Sequence, residues 1–256
     1  AFLTFDRLLG ETAFVEDLRA MLAQLQAAYR YPVEIEFALN FLADGGYRVN
    51  LLQCRPLQVR SLEESVRIAA AEDASHLFEA QGAVIGPSRV IRPDRLIYVV
   101  QSRYATLQQD SRLDVARLIG AINRVSEGRT LVVLGPGRWG TRDPWLGGPV
   151  VFNEINHVTA LCEIVAMNDN LIPDVSLGTH FLNELIEADM LYFALFPTRG
   201  GNRIDEAGIL ARPNRLGELL PNARQFESIV HVVDFEPGSI TLYADAESQR
   251  VIMTSV

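Results

Sequence analysis

The chain is 256 residues long, 48% hydrophobic, with a formal net charge of −9. That is enough apolar material for one large or two moderate domains, and the charge has the wrong sign for a nucleic-acid partner. There is no apolar run of about 18 residues and no signal-peptide pattern, so neither a membrane span nor secretion is expected. The two cysteines, Cys54 and Cys162, form no metal-ligand spacing and suit a reduced, cytoplasmic protein. The chain begins Ala1-Phe2-Leu3-Thr4 without an initiator methionine, which suggests a trimmed fragment.

The first predicted element is a helix over about Thr12–Tyr29. Phe14, Leu18, Met21, Leu22 and Leu25 recur there at helical spacing, with acids near the start. Pro32 ends it. Glu34–Phe41, a turn at Ala43-Asp44-Gly45-Gly46, and Tyr47–Pro56 then read as a β-hairpin. Strand alternation puts Glu34 and Glu36 on one face, and Gln53 and Arg55 on one face of the second strand. A two-residue Asp44-Gly45 turn sets Glu36 opposite Gln53 and Glu34 opposite Arg55. A turn centred on Gly45-Gly46 sets Glu36 opposite Arg55 instead. Both registers gather two carboxylates, an amide and a guanidinium, a set that can hold a divalent cation and a phosphate chain. The same face also reads as a solvated surface with ordinary cross-strand ion pairs.

Ile35-Glu36-Phe37, followed by Leu51-Leu52-Gln53-Cys54-Arg55-Pro56, resembles the end of the nucleotide-binding domain of pyruvate phosphate dikinase and phosphoenolpyruvate synthase, a domain of the ATP-grasp type. The resemblance covers about residues 8–60 and accommodates the preceding helix. It implies an ATP-grasp-like hairpin lobe over residues 1–60 and an ATP- and Mg²⁺-dependent phosphotransferase (a kinase of the dikinase type) in the intact chain. By resemblance, Glu34 and Glu36 are metal or phosphate-chain ligands, Glu36 and Gln53 form the central metal pair, and Gln53 and Arg55 are nucleotide-side partners, Arg55 with a catalytic role. Glu34 stands where the family usually has Asp, and Cys54 where it has Thr or Ser. Only the last hairpin of such a domain is present, with the lysine- and arginine-bearing first lobe missing. The fragment alone is therefore expected to bind ATP weakly and not to turn over.

Leu57–Arg60 closes the strand region. Ser61 caps a helix running to about Ala71, with Glu64 three residues on. Gly82, Gly86, Pro87 and Pro93 place the domain junction within residues 72–95, making 61–86 a helical linker and 87–256 a mixed-sheet α/β domain. Leu96–Gln101 is a predicted strand, Leu113–Val125 an amphipathic helix and Arg129–Leu134 a short apolar strand. Gly135–Gly148 is a long loop, Val150–Ile155 a strand, and Val158–Met167 apolar and of either kind. Thr179–Ala188 is a helix capped by Ser176 or Thr179, and Met190–Phe196 a buried strand. Ile229–Val233, Ser239–Tyr243 and Val251–Thr254 close the chain as strands. The pattern is a mixed α/β (α+β) fold with some antiparallel pairing.

Gly135-Pro136-Gly137-Arg138-Trp139-Gly140 follows a strand and fits G-x-G-x-x-G. A dinucleotide fingerprint also needs a helix to open there. Pro144 and Gly147-Gly148-Pro149 follow instead and break helices, so a Rossmann site is excluded. Two readings remain. In one, the backbone N–H groups of Gly135, Gly137 and Gly140, with Arg138 and Arg142, form a nest for a phosphate or carboxylate. In the other, the loop is a shaped turn whose Trp139 and Trp145 cover a core edge. His180 sits near a helix N-terminus, which favours a neutral imidazole and suits a base, a ligand or a phosphate contact; a satisfied structural histidine is the alternative. The segment around it does not match the phosphohistidine motif of the resembling family. His157 reads as a loop residue, and His76 and His231 carry no signal.

Leu134–Gly140, Val175–Phe181 and Leu195-Phe196-Pro197 resemble the C-terminal region of large bacterial proteins carrying a dikinase-type domain. That implies shared architecture and no particular reaction. Alongside phosphotransfer, the second reading of function is a non-catalytic module binding a small anionic metabolite through Arg138, Arg142 and His180. The third is a homodimerisation domain, for which exposed apolar patches would be the sign.

Overall fold

The computed structural model describes residues 5–29, 33–43, 45–56, 75–166 and 175–255. The chain is a mixed α/β protein of two compact units, residues 1–60 and 61–256. The predicted strand extension 57–60 and helix 61–71 lie outside the described residues.

The first unit comprises α1 (Asp6–Glu11), α2 (Phe14–Tyr29), β1 (Val33–Phe41) and β2 (Tyr47–Pro56). α2 begins at Phe14, later than predicted, because Thr12 Oγ1 accepts the Phe14 N–H and donates back to the Leu8 carbonyl. Phe14 is buried and anchors the helix to the hairpin, its ring 6.0 Å from Phe37 and 5.9 Å, edge-on, from Tyr47. Tyr47 Oη donates to Asp17 at 2.5 Å. That hydrogen bond is the main reason its phenol is pushed up to about 12.

The hairpin keeps Glu34 opposite Arg55 and Glu36 opposite Gln53, the first of the two registers considered. A bulge between Glu36 and Phe37 then shifts the pairing, so that Phe37 meets Leu51 and Phe41 meets Tyr47. The connection is therefore the loop 42–46, longer than the two-residue turn expected, with Leu42 N–H donating to the Gly46 carbonyl at 2.8 Å and Gly45 at φ +86°. The cause lies in β2. Its apolar residues are Tyr47, Val49 and Leu51, but its polar ones are then Gln53 and Arg55. The phase of alternation flips at Leu52, and only an extra residue keeps both sets on their own faces.

The second unit has a six-stranded mixed sheet and a five-stranded antiparallel one. Their strands are β3 (His76–Gln81), β4 (Val84–Ile85), β5 (Arg89–Ile91), β6 (Arg95–Val99), β7 (Leu131–Pro136), β8 (Val158–Ile164), β9 (Leu191–Leu195), β10 (Arg203–Ile204), β11 (Val230–Asp234), β12 (Ile240–Asp245) and β13 (Arg250–Ser255). The helices are α3 (Gln101–Tyr104), α4 (Gln109–Val125), α5 (His180–Glu187), α6 (Glu206–Leu210) and α7 (Leu216–Leu219). β6, β7, β8 and β9 run parallel and adjacent in that order, with antiparallel β11 and β4 at the edges. Each parallel strand is added on the same side, so crossovers of the usual right hand place every connection on one face. There Val115, Ile119 and Ile122 of α4 and Leu182 and Leu185 of α5 pack on Ile97, Val99, Val133, Leu161 and Tyr192. The opposite face meets Ile209 of the short α6 and is otherwise covered by strands, not by long helices among the described residues. Leu96, Tyr98, Leu134, Cys162 and Phe193 pack instead on Phe78, Leu242 and Met253 of the second sheet, Phe78 stacking on Phe193 at 5.5 Å. Burial on both faces explains why β6, β7 and β9 are continuously apolar runs.

Two predicted elements are corrected. Val150–Ile155 is a 3₁₀ turn at Phe152–Glu154 rather than a strand, because Glu154 Oε2 takes the Val151 N–H at 2.9 Å and closes a helical turn. The ambiguous apolar run that follows is β8. Residues 76–86, expected in a helical linker, hold β3 and β4. β3 pairs with β13 at the far end of the chain, a partner no local window contains. Gly82 and Gly86, at φ +112° and +123°, turn the chain between short strands. α4 also begins earlier than expected, at Gln109.

Candidate functional site

Two groups of predicted site residues lie in separate units. In the first, register alone puts Glu34, Glu36, Gln53 and Arg55 on one face of the hairpin. Ala38, Asn40, Arg48 and Asn50 continue that face, and the opposite one carries Ile35, Phe37, Leu39, Tyr47 and Val49. Glu36 and Gln53 are exposed and directly opposed, Glu34 is half-buried, and the Arg55 side chain lies outside the described residues. Among the described residues no three His, Cys, Asp or Glu side chains cluster as a metal site. A cation at this edge would therefore take oxygens from Glu36 and Gln53 and further ligands from a phosphate chain or from water.

The second group surrounds a cleft of about 740 Å³ between the loop after β7 and the start of α5. Arg138, Gly140, Arg142 and His180 line it together. Thr179 caps α5 through Oγ1, which accepts the Leu182 N–H at 3.2 Å, and makes His180 the first helical residue. His180 and Arg142 are exposed, Arg138 partly so. Neither guanidinium hydrogen-bonds or ion-pairs with any described residue.

The backbone nest predicted over Gly135–Gly140 is not available to a ligand. Gly137 N–H donates to the Ile164 carbonyl at 2.8 Å, Arg138 N–H to Leu146 at 2.8 Å and Gly140 N–H to Gly148 at 2.9 Å. Trp139 N–H donates to Glu163 Oε1 at 2.9 Å. The glycines serve packing instead. A Cβ on Gly135 or Gly148 would lie 2.4 or 2.5 Å from the buried Trp139 ring, and one on Gly140 2.3 Å from Phe181. Trp139 Nε1 donates to the Cys162 carbonyl at 3.0 Å. The shaped-turn reading therefore accounts for the loop backbone and for buried Trp139, whereas Trp145 is exposed rather than covering a core edge, and the loop is left with side chains alone for binding.

What the loop does grip is one of the protein's own carboxyl groups, that of Glu163 on β8, which is 1% exposed. Besides Trp139 N–H, this carboxylate accepts the Ser176 N–H at 2.8 Å, the Tyr192 hydroxyl at 2.6 Å and the Ser176 hydroxyl. Burial pushes the carboxyl above its ordinary range, while these donors pull the other way. One carboxylate thus ties the glycine-rich loop, the segment leading into α5, and β9. The sequence signal was present, since Glu163 is the lone charge in the apolar stretch Val158–Ala166, where a carboxylate must find partners.

Arg112 clamps the outer part of the loop. It is 1% exposed, and its guanidinium donates to the carbonyls of Leu107, Pro144 and Ala105 at 3.1, 3.0 and 2.9 Å while lying over the Tyr104 and Trp145 rings. The other histidines do not line the cleft. His231 Nε2 lies 3.0 Å from the Arg212 carbonyl, His157 donates its N–H to Asn123 Oδ1, and His76 packs by Glu79 and Arg203.

Residues 8–76 match the family model "Pyruvate phosphate dikinase, AMP/ATP-binding domain". The match covers about a quarter of the chain, includes the hairpin and ends at the first residue of β3. This stretch is therefore similar to a nucleotide-binding domain of that family. No curated protein and no solved structure matches the chain. Among the described residues, no helix is long and apolar enough to cross a membrane.

Proposed function

We propose that the hairpin is one edge of an ATP- and Mg²⁺-binding site of the ATP-grasp type, serving phosphotransfer of the dikinase kind in the intact protein. The observation that carries this reading is the register: Glu36 opposes Gln53 and Glu34 opposes Arg55, within a stretch matching a nucleotide-binding domain. Glu36 and Gln53 hold Mg²⁺ against the phosphate chain, Glu34 supports them, and Arg55 meets the transferring phosphate, where a planar guanidinium offers paired donors. A two-stranded sheet is too small to be stable alone. Phe41, Leu51 and Leu52 are 67%, 42% and 68% exposed, as fits the edge of a larger body. The chain has no lysine, so any lysine contact to ATP comes from outside it, and this half-site binds ATP weakly.

Calorimetry with Mg-ATP tests the reading. The chain by itself should bind with a Kd above about 100 µM, roughly 5.5 kcal/mol of binding free energy, and release no phosphate. Submicromolar binding would refute the half-site. In the protein with its complete nucleotide domain, Glu36→Gln and Gln53→Ala should each cut turnover at least about tenfold, and unchanged turnover would refute the assigned roles.

A further inference from the structure

We propose that the cleft beside α5 is a second, independent binding site, taking a small organic phosphate whose phosphoryl group is held by Arg138 and Arg142. Its volume, about 740 Å³, falls in the usual range for small-molecule sites and far exceeds what inorganic phosphate fills. The buried arginines of this unit are satisfied by protein. Arg95 is bidentate to Asp234, and Arg112 sits among carbonyls. Arg138 and Arg142 differ, lining a cleft with no hydrogen-bond or ion-pair partner among the described residues. Two such cations match the charge of a phosphate dianion, and guanidinium is the group whose geometry fits it bidentately.

The cleft is built ahead of binding. Arg138 stands on a loop whose N–H groups from Gly137 to Gly140 are all taken and whose Trp139 is anchored to Glu163. The backbone that carries Arg138 is therefore fixed before binding, and no loop ordering has to accompany it. His180, opening α5, adds a donor at the positive end of the helix. Asp143 and Glu184 also line the cleft. They oppose a bare anion but accept hydrogen bonds from hydroxyl or amino groups, so they favour an organic phosphate over a free one.

Glycerol 3-phosphate and inorganic phosphate are suitable probes, titrated at low salt into the whole chain and followed by calorimetry and tryptophan fluorescence. Both tryptophans, Trp139 and Trp145, are in the cleft loop, so their signal comes from the unit that holds this site. Glycerol 3-phosphate should bind saturably with a fluorescence change, and more tightly than inorganic phosphate. R138A/R142A should weaken it at least about tenfold with the thermal midpoint unchanged. R142E, at an exposed position, should do the same if the double variant is poorly folded, and R138K/R142K should recover only part of the affinity. Absence of saturable binding by either probe, or full affinity in folded R142E, would overturn the proposal. Mg-ATP binding at the hairpin stands or falls separately.

Discussion

Replacing Glu163 tests whether one buried carboxylate organises the cleft. In Glu163→Ala, Trp139 N–H, Ser176 N–H and the Tyr192 hydroxyl lose their acceptor inside the protein. A buried donor left without a partner costs about 1–3 kcal/mol, so three at the low end cost about 3 kcal/mol, before any cavity contribution. Glu163→Gln keeps shape and one acceptor oxygen. Yet either orientation of its amide points an NH₂ at a backbone N–H, that of Trp139 or that of Ser176, so a loss of about 2 kcal/mol is expected. The sign of the pH dependence follows from burial, which raises the folded-state pKa. Stability from this group is complete below its unfolded value, about 4.3, and declines as pH rises through the folded one. Glutamine has no such slope, so the deficit of Glu163→Gln should widen on acidification from neutral pH. Urea unfolding followed by tryptophan fluorescence reads this unit directly, since both tryptophans belong to it. A Glu163→Ala variant within about 0.5 kcal/mol of the parent, the range of an ordinary surface change, would refute the keystone role of this carboxylate.

Asp234→Asn should cost about 3 kcal/mol, because Arg95, 1% exposed, loses a bidentate partner at 2.5 and 2.9 Å. Burial raises the Asp234 carboxyl, but Arg95, Arg129 and Arg215 outweigh it and hold it below its usual range. Its stabilisation is therefore present above about pH 3.9 and lost as pH falls through the folded value. Thermal melts between pH 2.5 and 5 should show that loss in the parent and a flatter profile in the variant. Gly147→Ala should cost about 3 kcal/mol or more, since its Cβ would lie 2.1 Å from the Arg138 carbonyl oxygen and 2.3 Å from its nitrogen; denaturation midpoint and glycerol 3-phosphate affinity should fall together. Phe14→Ala should release α2 from the hairpin at about 3 kcal/mol, read as faster proteolysis within residues 14–29 while tryptophan fluorescence stays native.

The layered arrangement of the second unit was partly legible. The apolar runs at Leu96–Val99, Leu131–Leu134 and Leu191–Leu195 carry their own burial, and Thr179 carries its own cap. The two-sheet packing was not, because β3 finds β13 across most of the chain and short strands between glycines look locally like a linker. The hairpin bulge was recoverable from the phase flip in β2. At the cleft, the loop's density of glycine, arginine and tryptophan marked the place and misled about its use. Whether an N–H is free to bind depends on acceptors such as the Ile164 carbonyl and Glu163, which belong to a neighbouring strand.

Identities and local faces were readable in the chain: which side of the hairpin carries Glu34, Glu36, Gln53 and Arg55, which runs are core, and that α5 starts near Ser176 or Thr179, of which Thr179 is the cap. These follow from alternation, helical periodicity and capping, all set by neighbours within a few positions. Which residues meet was settled by the three-dimensional packing. It brought Arg138, Arg142 and His180 to one cleft, satisfied the loop backbone from within and placed Glu163 among four donors. Those outcomes depend on parallel strand order and crossover direction, which arise from global packing and leave no mark in a short stretch of chain.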